Sequence, residues 1–290
     1  MNSPLAAVAG LVAAMLSFQV GASLARQLMP VIGAPGTTAL RIGISAVLLC
    51  AVHRPWRSIP ERRHWPWLLA YGVSLGTMNF VFYEAIRTIP LGVAVGLEFT
   101  GPLAVALLAS RHRLDFVWLA FAILGVTLLL PLSRTGAALD VCGVLFALGA
   151  GVCWAFYIVC GQRVGRTVGS MAPAWGMLIA ACEIVPIGVA DAGRALVSPA
   201  VLPLGVGVAV LSSALPYTLE MRALRRLTAR AYGTLTSVEP ALAALTGLLL
   251  LGERLTGRQW LGIAAVMIAS VGTVGNEPPA TGSEASELQF

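Results

Sequence analysis

Four ionisable side chains stand inside apolar runs of this chain: Arg41, Glu98, Glu183 and Glu239. An ionisable group at the middle of a bilayer costs roughly 3 kcal/mol or more, so such residues mark a use. Glu98 lies in Gly96-Leu97-Glu98-Phe99-Thr100-Gly101-Pro102, and Glu239 in Thr236-Ser237-Val238-Glu239-Pro240. A proline has no N–H for the carbonyl four residues earlier. Pro102 therefore frees the carbonyl of Glu98, and Pro240 that of Thr236. Carboxylates beside bare carbonyls suit an ammonium group, and a carboxylate can exchange that cation for a proton. The plainer alternative is a pair of ordinary proline kinks. Arg41 has the fork geometry to clamp a carboxylate, or it anchors its helix by reaching to the interface. Glu183 either pairs with a neighbouring helix or relays protons. Gln19, Asn79, Tyr83, Trp154, Tyr157 and Tyr217 complete the candidate substrate and proton site; each alone is more often an interhelical hydrogen bond or an interface aromatic.

The elements that must position these groups follow from composition. Of 290 residues, 58% are hydrophobic and 11% charged, against about 25% charged in soluble domains. Apolar runs at about 5–25, 36–52, 66–83, 91–110, 116–132, 141–160, 172–190, 201–219, 231–251 and 259–275 are separated by short charged gaps. Roughly 20 apolar residues span a bilayer as a helix, and only helices satisfy their backbone in lipid at this spacing. The expected fold class is an all-α membrane protein with ten transmembrane helices. The first run is too long, and its leading residues too uncharged, for a signal peptide; residues 276–290 read as a disordered tail.

All 19 basic side chains are arginines. Twelve lie between residues 54–63, 111–113, 163–166 and 222–230, in the gaps on the N-terminal side, against six in the opposite gaps. Positive residues stay inside, so both termini are expected in the cytoplasm. Apart from Trp56 between Arg54 and Arg57, these arginines have no aromatic interleaving, which argues for lipid headgroups as the partner and against nucleic acid. Five cysteines inside apolar runs and three scattered histidines show no ligand spacing, so neither disulfide, metal site nor cofactor is expected. No phosphate loop or nucleophile motif appears, which excludes ATP-driven transport by this chain alone and gives no ground for an enzyme.

The halves echo each other. Shifted by 138 residues, Ala85 and Arg87 meet Ala223 and Arg225, Asn79 meets Tyr217, and Pro102 meets Pro240; shifted by 137, Arg26 meets Arg163. Five spans per half is an odd number, so the second half enters from the opposite face. Such inverted repeats recur in secondary transporters. The expected division is 1–135, 136–275 and the tail.

Longer strings carry a resemblance. Gly33 to Arg41 (GAPGTTALR), Tyr71 to Asn79 (YGVSLGTMN), Pro90 to Pro102 (PLGVAVGLEFTGP), Ser213 to Met221 (SALPYTLEM) and Ser237 to Ala244 (SVEPALAA) resemble the EamA-type drug/metabolite transporter superfamily, and within it the bacterial threonine and homoserine exporters. The resemblance runs from about Leu11 to Thr273. It implies two EamA repeats in the bacterial inner membrane and efflux of small amino acids against protons. Another amino acid or a cationic drug is the competing substrate within the superfamily.

Overall fold

The computed structural model describes residues 4–57, 59–109, 115–129, 140–216, 219 and 229–276. Among them the secondary structure is helical, with no strand. The helices are α1 (Pro4–His53), α2 (Trp65–Thr88), α3 (Leu91–Glu98), α4 (Thr100–Ala109), α5 (Asp115–Leu129), α6 (Val141–Val168), α7 (Ala172–Ala192), α8 (Leu202–Ala209), α9 (Ala229–Thr236), α10 (Glu239–Leu251) and α11 (Gly257–Asn276). Among the described residues, four stretches are long and apolar enough to cross a bilayer: Ala7–His53, Val141–Val168, Ala172–Val197 and Thr234–Leu251. Leu91–Val105, Phe116–Leu129 and Leu202–Ser213 are shorter apolar helices. Large apolar side chains face outward, among them Phe116, Phe156 and Leu249. An apolar exterior of this kind is stable only in lipid, so the chain is a multi-pass membrane protein.

Two expected spans, 5–25 and 36–52, fall on α1, and the gap foreseen between them is itself helical. The break is confined to Gly33, whose backbone (φ 68°, ψ 171°) is open to glycine and strained for other residues. Pro35 follows two residues on and suits the first turn of the second arm. Elsewhere breaks come where the sequence stops donating backbone bonds. α3 and α4 part at Phe99, three residues before Pro102. α9 and α10 part at Ser237–Val238. Pro240 therefore stands in the first turn of α10, where its missing N–H costs nothing. α10 closes on left-handed Gly252 (φ 65°). Thr256 and Gln259 then cap the start of α11 reciprocally, with Thr256 N donating to Gln259 Oε1 at 2.8 Å and Gln259 N to Thr256 Oγ1 at 3.3 Å.

α1 packs along α7 and α8, α2 along α6 and α7, α5 along α11, and α3 lies between α10 and α6. Small residues permit these approaches. A Cβ on Gly92 of α3 would lie 2.6 Å from Ala244 Cα of α10, and a Cβ on Gly151 of α6 would lie 2.8 Å from the Glu98 carbonyl oxygen. α3, which carries Glu98, is thus held on two sides by backbone contact.

Candidate functional site

α3 places Glu98 at its C-terminal end, 8% exposed. α10 begins with Glu239, partly buried, whose Oε1 accepts from Gln19 Nε2 of α1 at 3.2 Å. Glu239 and Arg41 are the charged groups within electrostatic reach of Glu98. Arg41 enters from the second arm of α1 and is 8% exposed. Its Nη1 donates to Asn79 Oδ1 of α2 and its Nη2 to the Ser212 carbonyl at 3.2 Å. Its guanidinium lies 5.4 Å from the Tyr83 ring centroid. Asn79 is aimed by its own Nδ2, which donates to the Leu75 carbonyl at 2.7 Å. Burying an arginine demands that its donors be used, yet Arg41 Nε and the Tyr83 hydroxyl are buried without a hydrogen-bond partner among the described residues.

The structure therefore brings Glu98, Glu239, Gln19, Arg41, Asn79 and Tyr83 to one centre where α1, α2, α3 and α10 meet. Trp154 of α6 joins it indirectly, edge-on to Phe99 at 5.6 Å. Tyr157 has a partner of its own: it stacks on Tyr71 at 4.8 Å, with their hydroxyls 3.1 Å apart. Tyr157 faces the same way as Trp154 on a helical count, but the Tyr71 ring claims it. Tyr217 lies outside the described residues. Glu183 pairs with α2, accepting from Thr77 Oγ1 at 2.7 Å through Oε1, while its Oε2 is buried without a partner among the described residues.

Two buried polar contacts, one at the centre and one beside it, were not foreseen. The Ser212 carbonyl reaches Arg41 from a π-helical turn, Val210–Ala214, which directly continues α8; Ser17 Oγ of α1 donates to Leu211 O in the same turn at 2.6 Å. π-turns offer carbonyls off the regular ladder, but nothing in the residue types announces one. The other is Glu253. It follows the last turn of α10 and reads as a loop charge, yet its side chain is 9% exposed and joins Arg26 to the start of α3.

A buried arginine and two carboxylates converging between broken helices of a multi-pass membrane protein is the architecture of a solute carrier. The comparisons narrow this class. The profile of the EamA-like transporter family matches residues 141–275. The threonine/homoserine exporter RhtA of Salmonella typhimurium strain LT2 is 53% identical over 272 residues, 92% of each chain. The threonine/homoserine exporter RhtA of Escherichia coli K12 is 54% identical over 264 residues, 91% of this chain and 89% of its own. A solved crystal structure of a protein 20% identical covers 94% of this chain and 98% of its own with a TM-score of 0.52, a likeness of fold. The chain belongs to the EamA-like transporter family.

Proposed function

We propose that this protein exports small amino acids, threonine and homoserine foremost, across the bacterial inner membrane in exchange for protons. Ten transmembrane helices in two inverted five-helix repeats, residues 1–135 and 136–275, form the carrier. Both termini and the tail beyond 276 are cytoplasmic. The observation that carries the reading is the convergence of Arg41, held by Asn79, on the Glu98, Glu239 and Gln19 group. An amino acid is a zwitterion and needs both signs of charge at once.

In this reading Arg41 gives up Asn79 and takes the substrate carboxylate through two N–H donors. The ammonium group sits between Glu98 and Glu239. Gln19 and Tyr83 are the hydrogen-bonding groups left for a hydroxyl-bearing side chain. A proton on Glu98 removes the charge that attracts the ammonium group, so proton and substrate exclude one another, as antiport requires. The two halves rock about this centre and open it to each face in turn. The RhtA relatives bear the same substrates in their names, and the family match supports transport as such.

Counterflow of labelled homoserine in proteoliposomes, competed with unlabelled amino acids and with a cationic drug, is the test. Exchange competed by threonine and homoserine is the expected outcome. Exchange competed only by the drug, or none by an inserted and folded protein, removes the substrate assignment.

A further inference from the structure

Arg26 and Glu253 lie outside the centre just described, and neither is used by it. Arg26 Nη1 is in ion-pair contact with Glu253 Oε1, and Glu253 Oε2 accepts from the Leu91 amide at 2.8 Å. One carboxylate thus ties three segments: the first arm of α1, the N-terminus of α3 and the end of α10. A helix start is a natural seat for an anion, and Gly247 leaves space beside Leu91 into which the Glu253 side chain reaches. Glu253 N also donates to Gly247 O at 3.1 Å, which fixes the backbone that presents the carboxylate.

The spacing relates this cluster to the site. Arg26 is seven residues from Gln19 along α1, and Leu91 seven residues from Glu98 along α3, two turns or about 10 Å in each case. α1 and α10 are therefore tied twice along one seam: by Gln19 and Glu239 at the centre, and by Arg26 and Glu253 above it. A solute leaving the centre on that side must part α1 and α3 from the end of α10. The opposite end differs. Arg163 of α6, the repeat-mate of Arg26, is exposed, lies 4.5 Å above the Trp67 ring, and has no carboxylate within ion-pair distance among the described residues.

We propose that Arg26 and Glu253 are positioning residues of the transport cycle: a latch that holds one end of the path shut and parts when that end opens. The proposal rests on the carrier reading above, and in the orientation given there the latched end is periplasmic. Glu253→Gln keeps an oxygen for the Leu91 amide and the shape of the side chain, but loses the ion pair, so it separates latching from helix capping.

The experiment uses full-length protein in right-side-out and in inverted vesicles, with Cys50, Cys142, Cys160 and Cys182 replaced by serine. Cys153 remains as the probe; it is partly buried and within electrostatic reach of both Glu98 and Glu183. A membrane-impermeant maleimide reports how open each end is. Glu253→Gln and Arg26→Gln are expected to raise the labelling rate from the latched side by about fivefold, a modest shift of population, with no rise from the other side. The exchanged pair Arg26→Glu with Glu253→Arg is expected to return the rate toward that of the parent. Unchanged labelling in a folded Glu253→Gln protein, an equal rise from both sides, or no recovery in the exchanged pair overturns the latch. Labelling needs no substrate, so a parent protein that fails to carry homoserine refutes the proposed function and leaves the latch judged on its own readout.

Discussion

The two glutamates of the centre stand near prolines that coincide when the sequence is shifted by 138 residues, yet the folded chain treats them differently. In the first half the break falls at Phe99, Glu98 ends α3, and Pro102 lies within the first turn of α4. In the second half the break takes Ser237 and Val238, and Glu239 opens α10 with Pro240 behind it. Peptide dipoles favour an anion at a helix start and disfavour one at a helix end. Glu239 stands at the favourable end and is tied there to Gln19. Glu98 stands at the unfavourable end, with Glu239 and Arg41 as its charged neighbours and no hydrogen bond to its carboxylate among the described residues. One sequence device thus yields two chemical environments, because the position of the break relative to the carboxylate sets which helix end it meets.

The largest expected effect separates the two carboxylates. Glu98→Gln should reduce pH-gradient-driven homoserine accumulation to background while downhill exchange survives. Glu239→Gln should instead weaken substrate binding in both modes. Transport per molecule of purified protein, with and without a pH gradient, checks this, and identical profiles for the two variants would erase the distinction. Next comes Arg41→Lys, which keeps the charge and removes the fork. Losing one charge-assisted hydrogen bond of about 1.5–3 kcal/mol should raise the homoserine KM by roughly tenfold or more, with the maximal rate much less affected.

A structural perturbation sharpens the same comparison. Gly92→Ala pushes a Cβ against the backbone of Ala244 and should part α3 from α10, which carry the two glutamates. Overpacking of this kind costs about 1–3 kcal/mol and should appear as a lower thermal midpoint in detergent. The smallest effect belongs to Asp140, outside the spans. Its carboxyl is held below the usual aspartate range, first by the Thr88 hydroxyl against a smaller opposing cost of burial, then by the Gly143 and Cys142 amides and the Arg87 charge. A depressed carboxylate stabilises the fold above its unfolded value of about 3.9 and loses that contribution as pH falls through its folded value. Asp140→Asn should therefore lower the midpoint slightly at pH 7, and the gap should close as the pH is taken below about 3.9.

Much of this was legible before any coordinates. Charge inside apolar runs singled out Arg41, Glu98 and Glu239 because lipid makes such residues expensive wherever they fall, and the cost depends on sequence neighbours alone. Asn79 and Gln19 were legible as polar residues in the same runs. Helical class followed from run length, since lipid leaves the backbone no other partner. Helical phase says which side of α6 Tyr157 occupies, and only packing says that the Tyr71 ring stacks on it there.

Residue type and spacing determined that the chain is helical, lies in lipid, and carries charges that must find one another there. Tertiary structure alone decided who met whom: Arg41 with a carbonyl of the π-turn, Gln19 with Glu239 across 220 positions, and Arg26 with Glu253 across 227. Burial cost is local and can be read along the chain. Partnership depends on which helices cross, and that is set by the small residues and breaks of the whole bundle acting together.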